Sequence, residues 1–315
     1  MKANRLSVLC LLALLLSSFS LRAQAPAVMT DPLEFDAGPL KGAELDKAQF
    51  RWWAPADAKN LSGVLVLIPG RNGDGRPMAN DPQWQALATS LNLGLVACFF
   101  YGEKEFFKYQ SDPTGDVAKA INEAVEKLAA QNGFPSLKKP PLVLWGHSAG
   151  ACVSEVYASR FPERVAAAVN LKGPRGAGGL VTGKDDIPFL IIVGKNDKAD
   201  WVKSATDSFE AGQAKNAVWT LALQANEGHE GGKSQELIAA FLRSVVPQRI
   251  GSGGIGAIGA STAGRPKRLV KTQGWLGDPE TFEVASNTNF KGKKKAAIWL
   301  PDETTALAWQ AFLKP

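Results

Sequence analysis

Pro141-Leu142-Val143-Leu144-Trp145-Gly146-His147-Ser148-Ala149-Gly150 is the stretch on which the fold turns. Its first five residues form an apolar run of strand length. A tight Gly-x-Ser-x-Gly turn follows, and Ala151-Cys152-Val153 then opens a predicted helix. Strand, sharp turn and helix place Ser148 at the tip of the turn. A serine hydroxyl is a poor nucleophile unless geometry exposes it and a base takes its proton. Glycine at 146 and 150 lets the chain fold back tightly enough to push the hydroxyl outward. In a chain with 31 glycines the pentapeptide alone says little, since Gly and Ser also serve ordinary turns. The strand before it and the helix after it are what give it chemical meaning.

The chain has two histidines, His147 and His229. His147 lies inside the turn, so His229 is the candidate base. Residues 49–54, 64–68, 93–101, 142–145, 165–170, 189–193 and 218–223 read as strands. Residues 84–91, 116–132, 151–160, 201–212 and 234–246 read as helices between them. Val64-Leu65-Val66-Leu67-Ile68 is apolar throughout, as in a strand covered on both faces. Val117, Ile121, Ala124, Val125 and Leu128 share one helical stripe. This alternation predicts the α/β class, with a mostly parallel central sheet and helices on both faces.

In such a sheet, loops distant in sequence meet at the carboxyl edge. Ser148 ends one strand, Asp197 follows the 189–193 strand, and His229 follows the 218–223 strand. His229 would accept the serine proton, and Asp197 would orient the imidazole. Asp200, Asp185 and Asp186 are alternatives for the acid. Asp197 is preferred because it directly follows Gly194-Lys195-Asn196. An oxyanion would be met by the backbone N–H of Ala149 and by Arg71 or Asn72 in Pro69-Gly70-Arg71-Asn72-Gly73. That loop lacks the Gly-Lys-Ser/Thr ending of a phosphate cradle. No His/Cys spacing suits a metal, so neither cofactor nor metal is expected.

Lys2 and Arg5, an apolar run over 6–16 and Ala23-Gln24-Ala25 read as a cleavable export signal over residues 1–25. The run is too short for an ordinary membrane span, which takes about 20 residues. Residues 26–249 form the expected catalytic domain. Residues 250–266 read as a Gly-rich linker, and 267–315 as a small α+β extension holding Trp275, Trp299 and Trp309. Tryptophans at those positions need cover, so the extension is expected to dock on the main body. The formal charge of +6 belongs to the ends. Lys2, Arg5 and Arg22 fall in the signal, and residues 249–315 hold ten Lys/Arg against five Asp/Glu. What lies between is slightly acidic, which argues against a nucleic-acid partner. Lys291-Gly292-Lys293-Lys294-Lys295 leaves room for weak contact with an anionic surface. Cys98 and Cys152 are expected as two buried thiols rather than a bridge.

Over residues 49–246 these features together resemble the α/β-hydrolase superfamily. Gly146-His147-Ser148-Ala149-Gly150 resembles its nucleophile elbow, and residues 157–165 resemble the helix-to-strand passage that follows it. Gly194-Lys195-Asn196-Asp197 and Gly228-His229 resemble its acid and histidine positions. Pro69-Gly70-Arg71-Asn72 departs from the common His-Gly start of the oxyanion loop. The short segment between the 165–170 and 189–193 strands leaves no room for a large helical lid. In this the chain is similar to open-faced secreted esterases, such as polyhydroxyalkanoate depolymerases and feruloyl or acetyl xylan esterases. The resemblance implies an exported serine carboxylic-ester hydrolase, working through an acyl-enzyme on a small or polymeric ester. A peptidase or amidase on the same three residues, and a binding protein that kept the fold, are the alternatives.

Overall fold

A computed structural model of the chain describes residues 33–104, 107–135, 137–174, 186–250 and 266–314. The export signal, most of the Gly-rich linker and Asp185 lie outside the described residues. In chain order the first elements are β1 (Glu34–Asp36), β2 (Lys47–Trp53), β3 (Gly63–Ile68), α1 (Pro82–Ser90) and β4 (Leu93–Tyr101). Next come α2 (Phe107–Ser111), α3 (Asp116–Gln131), β5 (Leu142–His147), α4 (Ala149–Arg160) and β6 (Val165–Leu171). Then follow β7 (Phe189–Gly194), α5 (Ala199–Ala214), β8 (Trp219–Gln224) and α6 (Gln235–Ile250).

These eight strands form one sheet in the order β1-β2-β4-β3-β5-β6-β7-β8. From β4 through to β8 every pairing is parallel; only β1 and β2 run antiparallel. β3, β6 and β7 are buried at every position, the pattern their unbroken apolar sequences predict. α4 and α6 both pack on β6, so helices cover its two faces. Register aligns the carboxyl ends. Ile68 lies opposite Gly146, His147 opposite Leu171, and Gly194 opposite Gln224.

Local chemistry starts the helices where they are needed. Asp81 accepts from the Gln83 N–H ahead of Pro82, which suits the first turn of α1. The buried Asp112 carboxylate accepts from Val117 and Ala118 N–H, each at 3.1 Å, and caps α3 from a preceding turn. The α3 stripe of Val117, Ile121, Ala124, Val125 and Leu128 is buried as predicted.

Beyond residue 265 the chain forms β9 (Trp275–Gly277), β10 (Val284–Ser286), β11 (Ile298–Leu300) and α7 (Glu303–Leu313). The three strands make a separate antiparallel sheet, β10-β9-β11. Within this extension, Phe282-Glu283-Val284-Ala285 reads from its sequence as a short strand. Phe282 instead adopts φ 58°, a left-handed turn conformation, so β10 starts two residues later. β1, β9 and α2 were not anticipated, because three to five residues carry no readable period. The tail lies against β8, the edge strand of the main sheet. Trp309 Nε1 donates to Leu221 O at 2.7 Å, and Thr220 Oγ1 donates to Trp299 O at 2.8 Å. Both tryptophans are buried, whereas Trp275 is partly exposed. Arg249, also buried, donates to Ala166 O, Val165 O and Lys267 O, and so ties the returning chain to the start of β6.

Trp309→Ala should remove a fully buried indole and its bond to β8, at a cost of about 3–5 kcal/mol. Urea unfolding should show that loss, and light scattering should show association through the uncovered β8 edge. A midpoint close to the parent's would mean that the tail contributes little to the fold.

Candidate active site

Ser148 joins β5 to α4 with φ 55° and ψ −120°, a conformation that residues with a side chain rarely adopt. Serine is a favoured helix N-cap, yet its hydroxyl makes no capping bond to α4. It is turned away from the helix and held by its N–H, which donates to Leu171 O at 2.9 Å. The elbow is packed to the limit. A Cβ on Gly146 would overlap the Gly150 carbonyl, and one on Gly150 would overlap the Ile68 carbonyl. Glycine at both ends of the turn is therefore a packing requirement as well as a conformational one.

Three loops at the carboxyl edge meet here. Ser148 Oγ lies 2.9 Å from His229 Nε2, and His229 Nδ1 lies 2.8 Å from Asp197 Oδ2. A carboxylate only accepts, so Nδ1 carries the proton and Nε2 is open to the serine hydroxyl. The Asp197 side chain is 6% exposed, while the His229 side chain is 37% exposed, so the carboxylate is enclosed and the imidazole reaches solvent. Asp197 Oδ1 also accepts from Lys198 N–H. Asp200 sits in the first turn of α5 and Asp186 ahead of β7; neither bonds to His229.

Around the predicted oxyanion position, Ala149 begins α4 directly after Ser148. Gly70 comes close to the serine: a Cβ there would lie 3.3 Å from Ser148 Cβ. Arg71 is the next residue. Asn72 is left-handed, with φ 51°, and its side chain is engaged elsewhere. Its Nδ2 donates to Gly102 O and its Oδ1 accepts from Gly102 N–H, both at 3.1 Å. Among the described residues, no group of three or more His, Cys, Asp or Glu side chains is placed to hold a metal ion. Cys98 and Cys152 are buried and not bridged to each other.

Three further residues lie close by, of which Trp201 and Lys172 were not singled out from the sequence. Trp201, on α5, meets the His229 ring edge-on at 5.2 Å between centroids, and Lys198 lies over the indole. The His147 ring also packs against His229, tilted and at 5.2 Å between centroids. Lys172 follows β6 in a left-handed conformation, 2% exposed, and its amine has no hydrogen-bond partner among the described residues. Burial pushes its pKa down, and the carboxylates of Glu227, Asp197 and Glu230 oppose that shift. Their sequence signal was weak: a tryptophan four residues past Asp197, and a lysine at a strand's carboxyl end.

The architecture is the α/β-hydrolase fold. Among solved structures, the chain is similar to a ferulic acid esterase at a TM-score of 0.50, with 10% identity over 69% of this chain and 98% of that one. It is also similar to the esterase PE8 at a TM-score of 0.48, with 20% identity over 62% of this chain and 97% of that one. No protein-family model matches the sequence, and no curated protein matches it.

Gly146→Ala forces a side-chain atom into a backbone carbonyl that cannot swing aside. Overpacking of this kind costs about 1–3 kcal/mol. The measured urea midpoint should fall accordingly; no change would mean that the elbow can relax around an added methyl group.

Proposed function

We propose that this protein is a serine hydrolase that cleaves carboxylic esters through an acyl-enzyme. The observation that carries the reading is the continuous Ser148–His229–Asp197 row of hydrogen bonds, at 2.9 and 2.8 Å, with the serine on a strained elbow. In this reading Ser148 Oγ attacks the ester carbonyl carbon while His229 Nε2 takes its proton. Asp197 keeps Nδ1–H in place and stabilises the imidazolium. The carbonyl oxygen, now an oxyanion, is met by the N–H groups of Ala149 and Arg71. Arg71 is favoured over Asn72 because its nitrogen is attached to Gly70, the residue beside Ser148. The imidazolium then protonates the departing alcohol as the C–O bond breaks, leaving Ser148 acylated. Water, activated by the same imidazole, releases the acid and restores the hydroxyl.

Export is part of the proposal and rests on Lys2, Arg5, the 6–16 apolar run and Ala23-Gln24-Ala25. Among the described residues, no helix is long and apolar enough to cross a membrane. The substrate is a small-molecule or polymeric ester. The exposed lysines 291 and 293–295 offer weak contact with an anionic surface.

Ser148→Ala should lower kcat by roughly 10⁴- to 10⁶-fold with the fold intact. Fluorophosphonate should label the parent at Ser148 and leave this variant unlabelled. Covalent labelling at a different serine would rule the reading out. A panel of matched esters and amides should show turnover of the esters; preference for the amides would make the enzyme an amidase on the same residues.

Asp197→Asn should cost about 10⁴-fold in kcat, because the imidazole loses the tautomer that Ser148 needs. Asp200→Asn should stay near the parent. The reverse ranking would move the acid to Asp200. Since His229 must be neutral to accept a proton, kcat/KM should fall as the medium is acidified.

A further inference from the structure

His147 has so far had no role, although it is the only other histidine in the chain. Its Nε2 lies 3.1 Å from the backbone carbonyl oxygen of His229. A carbonyl can only accept, so Nε2 carries the proton and Nδ1 is bare, on the side facing Gly70. The ring also sits inside an aromatic row. Trp84 meets Trp145 at 5.2 Å, Trp145 stacks on His147 at 6.4 Å, His147 meets His229 at 5.2 Å, and His229 meets Trp201 at 5.2 Å. Trp145 is fixed in the core strand β5, so the row is anchored at its centre.

The loop bearing His229 needs such an anchor. It lies between β8 and α6 and contains Gly228, Gly231 and Gly232. Its backbone is tied to the acid loop by Asn196 N–H donating to Glu227 O. On the serine side, the His147 side chain of the elbow ties down the backbone of His229.

We propose that His147 is a positioning residue, which clamps the backbone of His229 to the nucleophile elbow and so fixes the distance between base and serine. The inference rests on the reading of His229 as the base of Ser148. It deepens that reading by giving the two histidines separate duties and opposite tautomers. His229 holds its proton on Nδ1, towards Asp197; His147 holds its proton on Nε2, towards the His229 carbonyl. Burial lowers the pKa of His147, which keeps a second positive charge away from an imidazole that must itself become charged. The charged and titratable groups around it are His229, Asp197 and Lys172.

A misplaced base costs about 10²-fold in rate for a displacement near 1 Å. His147→Leu keeps bulk but removes the donor. Its kcat should fall by about that factor while KM stays within about threefold of the parent. His147→Gln, which carries an amide N–H at similar reach, should recover most of the loss. Equal damage in both variants, or near-parent kcat in His147→Leu, overturns the proposal. Should His147→Leu fail to fold, ¹⁵N imidazole NMR of the parent decides instead. With two histidines the spectrum is simple: one ring protonated at Nδ1 and one at Nε2 is expected, and two rings with the same tautomer overturn the clamp. Fluorophosphonate labelling of the parent is read separately. Its absence defeats the hydrolase reading, while the tautomer assignment of His147 still reports on the clamp.

Discussion

The backbone of Ser148, at φ 55° and ψ −120°, is held where a side chain is normally excluded. Such a residue costs about 1–3 kcal/mol and persists only where its surroundings leave no alternative. Here they do so from three strands. β3 presses its Ile68 carbonyl against Gly150, β5 delivers the chain into the turn, and β6 accepts the Ser148 N–H through Leu171. α4 then continues without an exposed residue from Ala149 to Ala158. The elbow cannot relax without dragging a buried helix and the parallel core with it. Strain at one residue is offset by burial spread over many.

A second tension lies beneath the base. Lys172 carries a buried amine with no hydrogen-bond partner among the described residues, an arrangement that costs free energy unless charge nearby offsets it. The nearby charges are Asp197 and the two glutamates that flank His229 in sequence, Glu227 and Glu230. Attraction to a fixed cation favours one placement of a glycine-rich loop over others. The desolvation penalty and the ordering of the loop thus share one cause.

Much of this was readable in the chain. Unbroken apolar runs at 64–68, 142–145 and 189–193 become strands buried on both faces, because burial on two faces removes any need for polar alternation. The meeting of Ser148, Asp197 and His229 was legible because parallel strands all release their loops at one edge, and because the chain offers few histidines. The surroundings of His147 and Lys172 were not legible. A hydrogen bond to the carbonyl of residue 229, and the closeness of Lys172 to acids from two later loops, depend on three-dimensional register, which no local pattern encodes. The split between Arg71 and Asn72 stayed open for the same reason: the Asn72 amide is taken by Gly102, thirty residues away.

The tail bears on the main sheet through β8. β8 is an edge strand, and an uncovered edge invites pairing with another chain. Trp309 fills that role by donating to the Leu221 carbonyl, and Trp299 accepts from Thr220. These contacts fall on the first half of β8, whereas His229 lies beyond its other end at Gln224. The extension therefore steadies the strand from which the base loop hangs, at residues well before that loop begins. That separates the two basic or aromatic features of the tail: the tryptophans belong to the fold, and the exposed lysines 291 and 293–295 remain on its outer surface.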